Sequence, residues 1–571
     1  MEEEKRNLVL FFMVSMIIMI GYPYFSRFFG IQPNVGQSIV DSNLRASSTQ
    51  KVIFKTKEMF TLPVEEEKPH NITICAKSIS GTISTCGIKI QNIFLNKYKE
   101  TIDESQKVSV FGKDSNNYYA HVGWTSENTG ISLPHENTVW KSDGKNEKEV
   151  LSEDSPIKLT WDNKSELSFE RSISVDNNFM LTVTDTVKNY GTQAIPLRSG
   201  TKIHREFDKN TTFNGMSYEG PLGYIDNRLE QISYEDIEKK REIRHKTIGG
   251  WFGITDKFWL VSFIPKQETS TSILCTHTTN ENKNVYEIHS SGEMILLAPN
   301  AELVRTYHLF VGAKEIRTLD MYEDKLGIKH FDLAIDFGWL YLLTKPLLYS
   351  LAFAKDTVEN MGLGIILITL LIKLLLLPLA HKSHNSMNRM REIQPKIQAL
   401  QKKYENDKMK LGQEVSAMYT KEGVSPIGGC LPMLLQSPVI IALYRVLQIS
   451  IEMRHAPFIW WIHDLSLPDP LSVFNLFGLV PITLPGFLQI GVWPILMGLT
   501  MHLQQKMSPA PADPTQANMM LIMPLVFTYM FAQVSAGLVI YWTFSNILSI
   551  LHQYFVMKQE ENRKMQKSKA I

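Results

Sequence analysis

Hydrophobic and polar positions divide this 571-residue chain into two unlike parts. Between residues 53 and 315, short runs such as NITICAKSIS, GIKIQNIFL, SPIKLTW, ELSFERSISV, FMLTVTDTV, FWLVSFIP and NVYEIHSS alternate apolar with polar residues. Gly, Asn, Asp and Ser clusters separate them. A period of two marks strands buried on one face, and many such strands with turn punctuation predict an antiparallel β-sandwich. SYEDIEKKREIRHK (233–246) breaks the pattern and predicts a surface helix. After residue 331 long apolar runs take over. Membrane-length segments are predicted at about 359–380, 427–449, 488–507, 517–533 and 535–557. The opening MEEEKRNLVLFFMVSMIIMIGYPYF adds one at 7–25, where no small-x-small cleavage site follows the apolar run. That reads as an uncleaved signal anchor. The expected fold class is two-part: an all-β sandwich and an α-helical transmembrane bundle with six spans, five of them in the core.

Finer boundaries follow from local patterning. The anchor (7–25) leads into a polar tether (26–52), the β-domain (53–325) and an amphipathic helix (331–353) lying on the outer surface. That helix holds Asp332, Asp336 and Lys345 among apolar residues, with Trp339, Tyr341 and Tyr349 suited to headgroup level. The membrane core (359–557) contains a helical hairpin (383–422), and a basic tail (558–571) closes the chain. In the hairpin, Met387, Met390, Ile393, Ile397, Leu400 and Tyr404 recur every three or four residues, then Leu411, Val415 and Met418. Two antiparallel amphipathic helices satisfy that spacing, with Pro395 expected to start or kink the main part of the first. Basic residues orient the whole. Arg389, Arg391, Lys396, Lys402 and Lys403 belong to the hairpin, and Lys558, Arg563, Lys564, Lys567 and Lys569 to the tail, whereas loop 451–487 has only Arg454. The positive-inside rule puts both termini and the hairpin in the cytoplasm and the β-domain outside.

Net charge +1 and mean hydropathy −0.10 resemble those of a soluble protein and conceal this division. Four cysteines, with no CxxC and no Cys/His cluster, exclude a disulfide scaffold and a zinc site. Cys75 and Cys86 flank a predicted hairpin and could pair in an exported domain. No HExxH, GxSxG or Walker A motif occurs, so neither metal nor cofactor is expected and the chain does not read as an enzyme. Trp124, Trp140, Trp161, Trp251 and Trp259 could stack on sugars, although scattered tryptophans are more often core or rim residues.

The candidate chemistry lies at Lys373, inside VENMGLGIILITLLIKLLLLPLA (358–380). A charge at membrane depth costs roughly 2.5–3.5 kcal/mol on insertion scales, so by default it marks function. About eight residues, or roughly 12 Å of helix, separate it from the cytoplasmic edge, more than a lysine stem covers by snorkelling. A water-filled cavity open to the cytoplasm would close the gap, lined by Thr369, Gln436, Gln504, Gln505, Ser545 and Asn546. Pro432, Pro438 and Pro524 break the surrounding helices, which is tolerated where water or neighbours satisfy the freed carbonyls. The bland alternative is a snorkelled anchor, the reading given to Arg445. A secondary transporter or channel using the lysine is the competing function, though such proteins usually show internal repeats and none is visible. A sugar-binding or sugar-modifying envelope protein would need paired carboxylates in the β-domain.

The stretches ITLLIKLLLLPL, MREIQPKIQALQKKY, VSPIGGCLPMLLQSPV, APFIWWIHDLSLPDP, PILMGLTMHLQQKMSP and SAGLVIYWTFSN closely resemble the YidC family of membrane protein insertases. HREFDKN, EGPLGYIDN and GGWFGITDKFWL resemble the large periplasmic domain of its Gram-negative members. The resemblance implies five core helices around a hydrophilic groove, closed outward, in a bacterial inner-membrane protein. It implies that a substrate's polar segment enters the groove while its apolar helix slides past Pro432, Met433, Pro438, Pro524, Met530, Tyr541 and Trp542. Lys373 takes the motif position where an arginine is usual, which keeps the charge and loses the bidentate fork. Tyr541-Trp542 stands where two tyrosines are common. Implied partners are nascent membrane proteins, the Sec translocon, membrane lipid, and a ribosome or targeting factors at the basic hairpin and tail. No specific nucleic acid is implied.

Overall fold

Alternating burial, as in Leu167–Val175 and Met180–Asn189, shows the period-two pattern at work in the computed structural model. The structure describes residues 68–569 except 103–104, 112–116, 143–148, 210, 212–216, 281, 405–406, 424–430, 476–488 and 509–513. The expected anchor, the tether and Cys430 lie outside the described residues. Residues 69–571 form one compact unit. Its first part is a sandwich of an 11-stranded and a 9-stranded sheet. Long antiparallel strands centre each sheet: Ile195–Asp208 between Tyr118–Thr125 and Lys283–Ser291 in the first, and Met180–Asn189 between Leu167–Val175 and Glu302–Ala313 in the second. Ile83, Ile203, Leu181, Ile173 and Leu309 are fully buried.

A polar cluster crosses that core. Arg171 and Asp185 face each other across neighbouring strands, and the guanidinium donates to both carboxylate oxygens at 2.6 and 2.7 Å. Trp124, from the other sheet, donates its indole N–H to the same carboxylate at 2.7 Å. Trp140 stacks on Arg171 at 5.0 Å. Trp124, Trp140 and Trp251 are therefore core residues, buried to 5, 2 and 0 % exposure, and offer no platform for a sugar.

Two local expectations change. Only Tyr234–Lys240 of the 233–246 segment is helical (α1). Arg241 takes a positive φ of 63° and ends it, after which Glu242–Ile248 pairs with Ser270–Asn280 as an edge strand. The strand half was disguised by its exposed face, Glu242, Arg244, Lys246 and Ile248, four positions of one alternation. Cys75 stands opposite Ser80 in its hairpin, and both Cys75 and Cys86 are free thiols.

The helical part begins with α2 (Ile316–Leu326), a 3₁₀ turn at Phe331–Ala334 and α3 (Tyr341–Val358). Helix thus occupies the second half of the expected 331–353 element and runs past it. Next come α4 (Met361–Lys403), α5 (Lys408–Glu422), α6 (Leu431–Ile449), α7 (Val492–Met507), α8 (Pro514–Phe531) and α9 (Ala536–Lys569). The side chain of Asn360 caps α4 by accepting from Leu363 N at 3.0 Å. α4 then continues through Pro378 and Pro395 for 43 residues, about 65 Å. Pro395 therefore lies well inside a helix that joins apolar run and hairpin arm without a break. α5 returns against it: Ile393 and Ile397 are buried, with Met390, Val415, Met418 and Tyr419 around them. Gly498 sets the approach of α7 to α8, since a Cβ there would lie 2.0 Å from Thr528 Oγ1.

Arg445 is no snorkelling anchor. It donates to Asp336 O at 3.0 Å and pairs with the Asp336 carboxylate, tying α6 to the segment that leaves the β-domain. The same carboxylate accepts from Tyr218 N at 3.3 Å. Nearby, buried Lys314 donates to Thr255 Oγ1 and Asp256 O, both at 2.9 Å. Burial pulls its pKa down to about 8, against the opposing pull of Asp336, Asp256 and Glu219.

Candidate polar groove in the helical core

Lys373 projects from α4 toward α6 and α9. Its ammonium donates to Gln436 Oε1 at 3.0 Å and to Ser549 Oγ at 2.8 Å. Gln436 Nε2 donates to Ser545 Oγ at 2.6 Å, and the Tyr541 hydroxyl lies against Gln436 and Ser545. Three helices are thereby joined by one chain of hydrogen bonds. Both hydrogen-bond partners of Lys373 are neutral, and among the described residues no carboxylate pairs with it, so the charge is solvated by the site without being neutralised.

Of the six expected lining residues, Gln436 and Ser545 join this network and four do not, among them Gln504, whose carbonyl accepts from Ser508 Oγ at 3.2 Å. Thr369 is buried one turn before Lys373, and its hydroxyl donates back to Ile365 O at 2.7 Å. Asn546 donates to Thr500 Oγ1 at 3.2 Å, on the α7 side of α9. Gln505 sits in the last turn of α7, where its carbonyl accepts from Ser508 N. Ser549 and Gln553 were missed. With Tyr541 and Ser545 they form a stripe of four polar residues at i, i+4 spacing on α9, the spacing that gathers residues on one helix face. Gln553 Nε2 donates to Met507 O at 2.7 Å, and Arg391 donates to the same carbonyl at 3.0 Å. Arg391 therefore caps α7 and is not a free surface charge.

The expected slide residues divide too. Trp542 packs on Phe531 and Phe527 of α8, with ring centroids 4.7 and 5.7 Å apart, while Tyr541 turns into the polar network. Pro524 is buried, its carbonyl accepting from Thr528 Oγ1 at 2.8 Å. Met530 and Pro438 are half-buried. The side chains of Pro432 and Met433 lie outside the described residues. In the hairpin, Lys396 pairs with Glu422 at 2.6 Å, and Arg389, Lys402 and Lys403 are exposed.

The β-domain holds a charged cluster that the pattern of its strands did not reveal. Lys202 pairs with Glu136 and lies 3.3 Å from Glu287. His204 reaches Glu287 at 2.8 Å and Glu206 at 3.2 Å, and His289 reaches Glu287 at 3.0 Å. Burial opposes ionisation of Glu287, yet hydrogen bonds from both histidines and the Lys202 charge hold it well below the usual carboxylate range. Each member is paired within the cluster, unlike Lys373.

A family model described as "60Kd inner membrane protein" matches residues 353–564, and one described as "YidC periplasmic domain" matches 71–350. A relative from Rickettsia bellii (strain OSU 85-389), named "Membrane protein insertase YidC", is 40% identical over 97% of this chain and 99% of its own length. The chain belongs to the YidC family. A YidC relative of the same name from Rickettsia massiliae (strain Mtu5) is 39% identical over 97% of this chain and 99% of its own. A solved structure titled "Active YidC insertase crystal structure with the first transmembrane domain resolved" covers 86% of this chain and 93% of its own, at 17% identity and TM-score 0.35. At that score the likeness carries no weight for the geometry above. The Lys373 network lies inside residues 353–564, the region matched by the 60Kd inner membrane protein model.

Proposed function

We propose that this chain is a membrane protein insertase of the bacterial inner membrane, with its β-domain in the periplasm and nascent membrane proteins as substrates. The observation that carries the mechanism is Lys373 held by neutral acceptors between α4, α6 and α9. A polar segment crossing a membrane faces roughly 30 Å of hydrocarbon. A hydrated groove reaching Lys373 from the cytoplasm shortens the dry path, and an uncompensated ammonium attracts acidic residues of the passing segment. The substrate's apolar helix then partitions into lipid, where burial at about 25 cal/mol per Å² drives the step. No bond is broken and no nucleotide is consumed.

The topology is part of the proposal. Among the described residues, Met361–Lys403 is the helix long and apolar enough to cross a membrane, and Asn518–Phe531 is a shorter apolar stretch. Leu371, Leu374 and Leu375 of α4, Leu521, Leu525 and Val526 of α8, and Leu551 and Phe555 of α9 are exposed. Apolar surface on that scale implies a lipid solvent. With the anchor we count six spans, both termini cytoplasmic. The exposed Arg389, Lys402 and Lys403, with the tail, suit a ribosome or targeting factor, and cooperation with the Sec translocon fits the same orientation.

Purified chain reconstituted into sealed vesicles should insert a small membrane protein with a short acidic translocated segment, without nucleotide. Vesicles that instead take up small solutes and leave that protein uninserted would favour the transporter reading.

A further inference from the structure

Beside the Lys373 network, a cavity of about 710 Å³ opens between α4 and α9. Leu377, Pro378, Phe555 and Val556 form its apolar walls, and His381, His552 and Gln559 supply its polar atoms. The imidazoles of His381 and His552 lie stacked with centroids 6.0 Å apart, and His384 packs edge-on against His552 at 4.9 Å. The charged or ionisable groups acting on His384 and His552 are these histidines and Lys373, all of one sign. Glu560 and Glu561 follow on α9 but do not line the cavity. His384 is 6 % exposed, and its Nδ1 has no protein partner.

We propose that this cavity binds one anionic phospholipid of the cytoplasmic leaflet, with its phosphate on His381 and His552. The proposal rests on the reading that α4 and α9 cross the membrane, which sets His381 at the cytoplasmic edge of the hydrocarbon. A neutral imidazole donates one N–H to a phosphate oxygen and an imidazolium donates two, and the field of Lys373 and the neighbouring ring favours an anion. The acyl chain has a track. Leu377, Leu374 and Leu370 are 42, 53 and 40 % exposed and share the face of His381 at helical spacing. From His381 to Leu370 the helix rises about 16 Å, roughly half of a ~30 Å hydrocarbon core. A detached phosphate would use the imidazoles and leave the leucine track bare. A substrate helix would use the track and leave the imidazoles facing no anion.

Native mass spectrometry of the full chain tests this, with phosphatidylglycerol and phosphatidylcholine of identical acyl chains as probes. The wild type should retain phosphatidylglycerol about tenfold more tightly than phosphatidylcholine. The double variant His381→Gln/His552→Gln should lose that preference, and Lys558→Gln, outside the cavity lining, should keep it. Should the double variant fail to fold, His381→Gln alone carries the same test. Equal retention of the two lipids by the wild type, or a preference the histidine variants leave unchanged, overturns the proposal. So does inorganic phosphate displacing the lipid at millimolar concentration. A photoreactive residue replacing Phe555 should label lipid, and labelling of a nascent chain there instead would make the cavity a substrate contact. Insertion by the folded histidine variants is measured in parallel. If insertion fails in the wild type too, the functional reading fails separately from this one.

Discussion

Arg171 is buried in the β-sandwich and Lys373 half-buried in the helical core, and the two cations are treated in opposite ways. Arg171 in the β-sandwich is 1 % exposed, held by both oxygens of Asp185 and covered by Trp140. Its charge is cancelled where it sits, and its five-donor fork is used to join strands. Among the described residues Lys373 meets only a carboxamide oxygen and a hydroxyl. Its half-buried ammonium is hydrogen-bonded while its field stays available. An arginine matched to a carboxylate is a part of the architecture, whereas a lysine among neutral acceptors can act on something that arrives.

The largest effect should come from breaking the neutral pair. Asp185→Ala should destabilise the β-domain by about 3–5 kcal/mol, because it strands a buried guanidinium. Replacing both partners, as Arg171→Met/Asp185→Leu, should recover most of that loss. Thermal unfolding of the purified full chain, read at the β-domain's tryptophans, measures both. By contrast Lys373→Met should leave thermal stability no lower, since it removes the cost of a charge at depth.

A second test sharpens the other side. Gln436→Leu removes one acceptor of Lys373 and the bridge to Ser545. A hydrogen bond to a charged group is worth about 1.5–3 kcal/mol, so insertion of acidic substrates should slow about tenfold or more, with neutral substrates less affected. Equal slowing of both classes in the initial-rate assay would make Gln436 a packing residue.

How far the sequence carried this contrast depends on the side in question. Lys373 was legible because a lone charge in an apolar run has no other pattern to hide in, and Gln436 and Ser545 were legible as polar residues in neighbouring runs. Ser549 was not singled out, although its spacing from Ser545 places it on the same face. Arg171 and Asp185 looked like any alternating strand residues, since only strand register sets them opposite each other. Arg445 read as an anchor because its partner, Asp336, lies 109 residues away. The strand at Glu242–Ile248 read as helix because four of its side chains face solvent and three of them, Glu242, Arg244 and Lys246, are charged. Local periodicity reports one face of one element. Pairings between elements need the fold.

Two smaller effects concern the junction and the topology. Because the folded pKa of Lys314 is lowered to about 8 from an ordinary 10.5, the unfolded chain binds the extra proton between those values. Stability should therefore rise with pH from about 8 to 10.5 and be flat in this group's contribution below 8. Lys314→Met should remove that slope from a series of unfolding temperatures. In a background with Cys75, Cys86, Cys275 and Cys430 replaced by Ser, Glu268→Cys should react only with outside reagent and Met409→Cys only from the cytoplasm. Labelling of both from one side would overturn the six-span count.

The central claim is that the uncompensated charge of Lys373 acts on substrates, and a charge series measures it directly. Lys373→Arg, Lys373→Ala and Lys373→Glu, at equal abundance and with verified folding, are compared on substrates that differ only in acidic or neutral translocated residues. Arginine should insert both about as well as wild type. Alanine should fail chiefly on the acidic substrate, and glutamate should be worst there, because it reverses the field. If alanine and wild type insert both substrates at the same rate, Lys373 is an anchor and the groove-charge account is wrong.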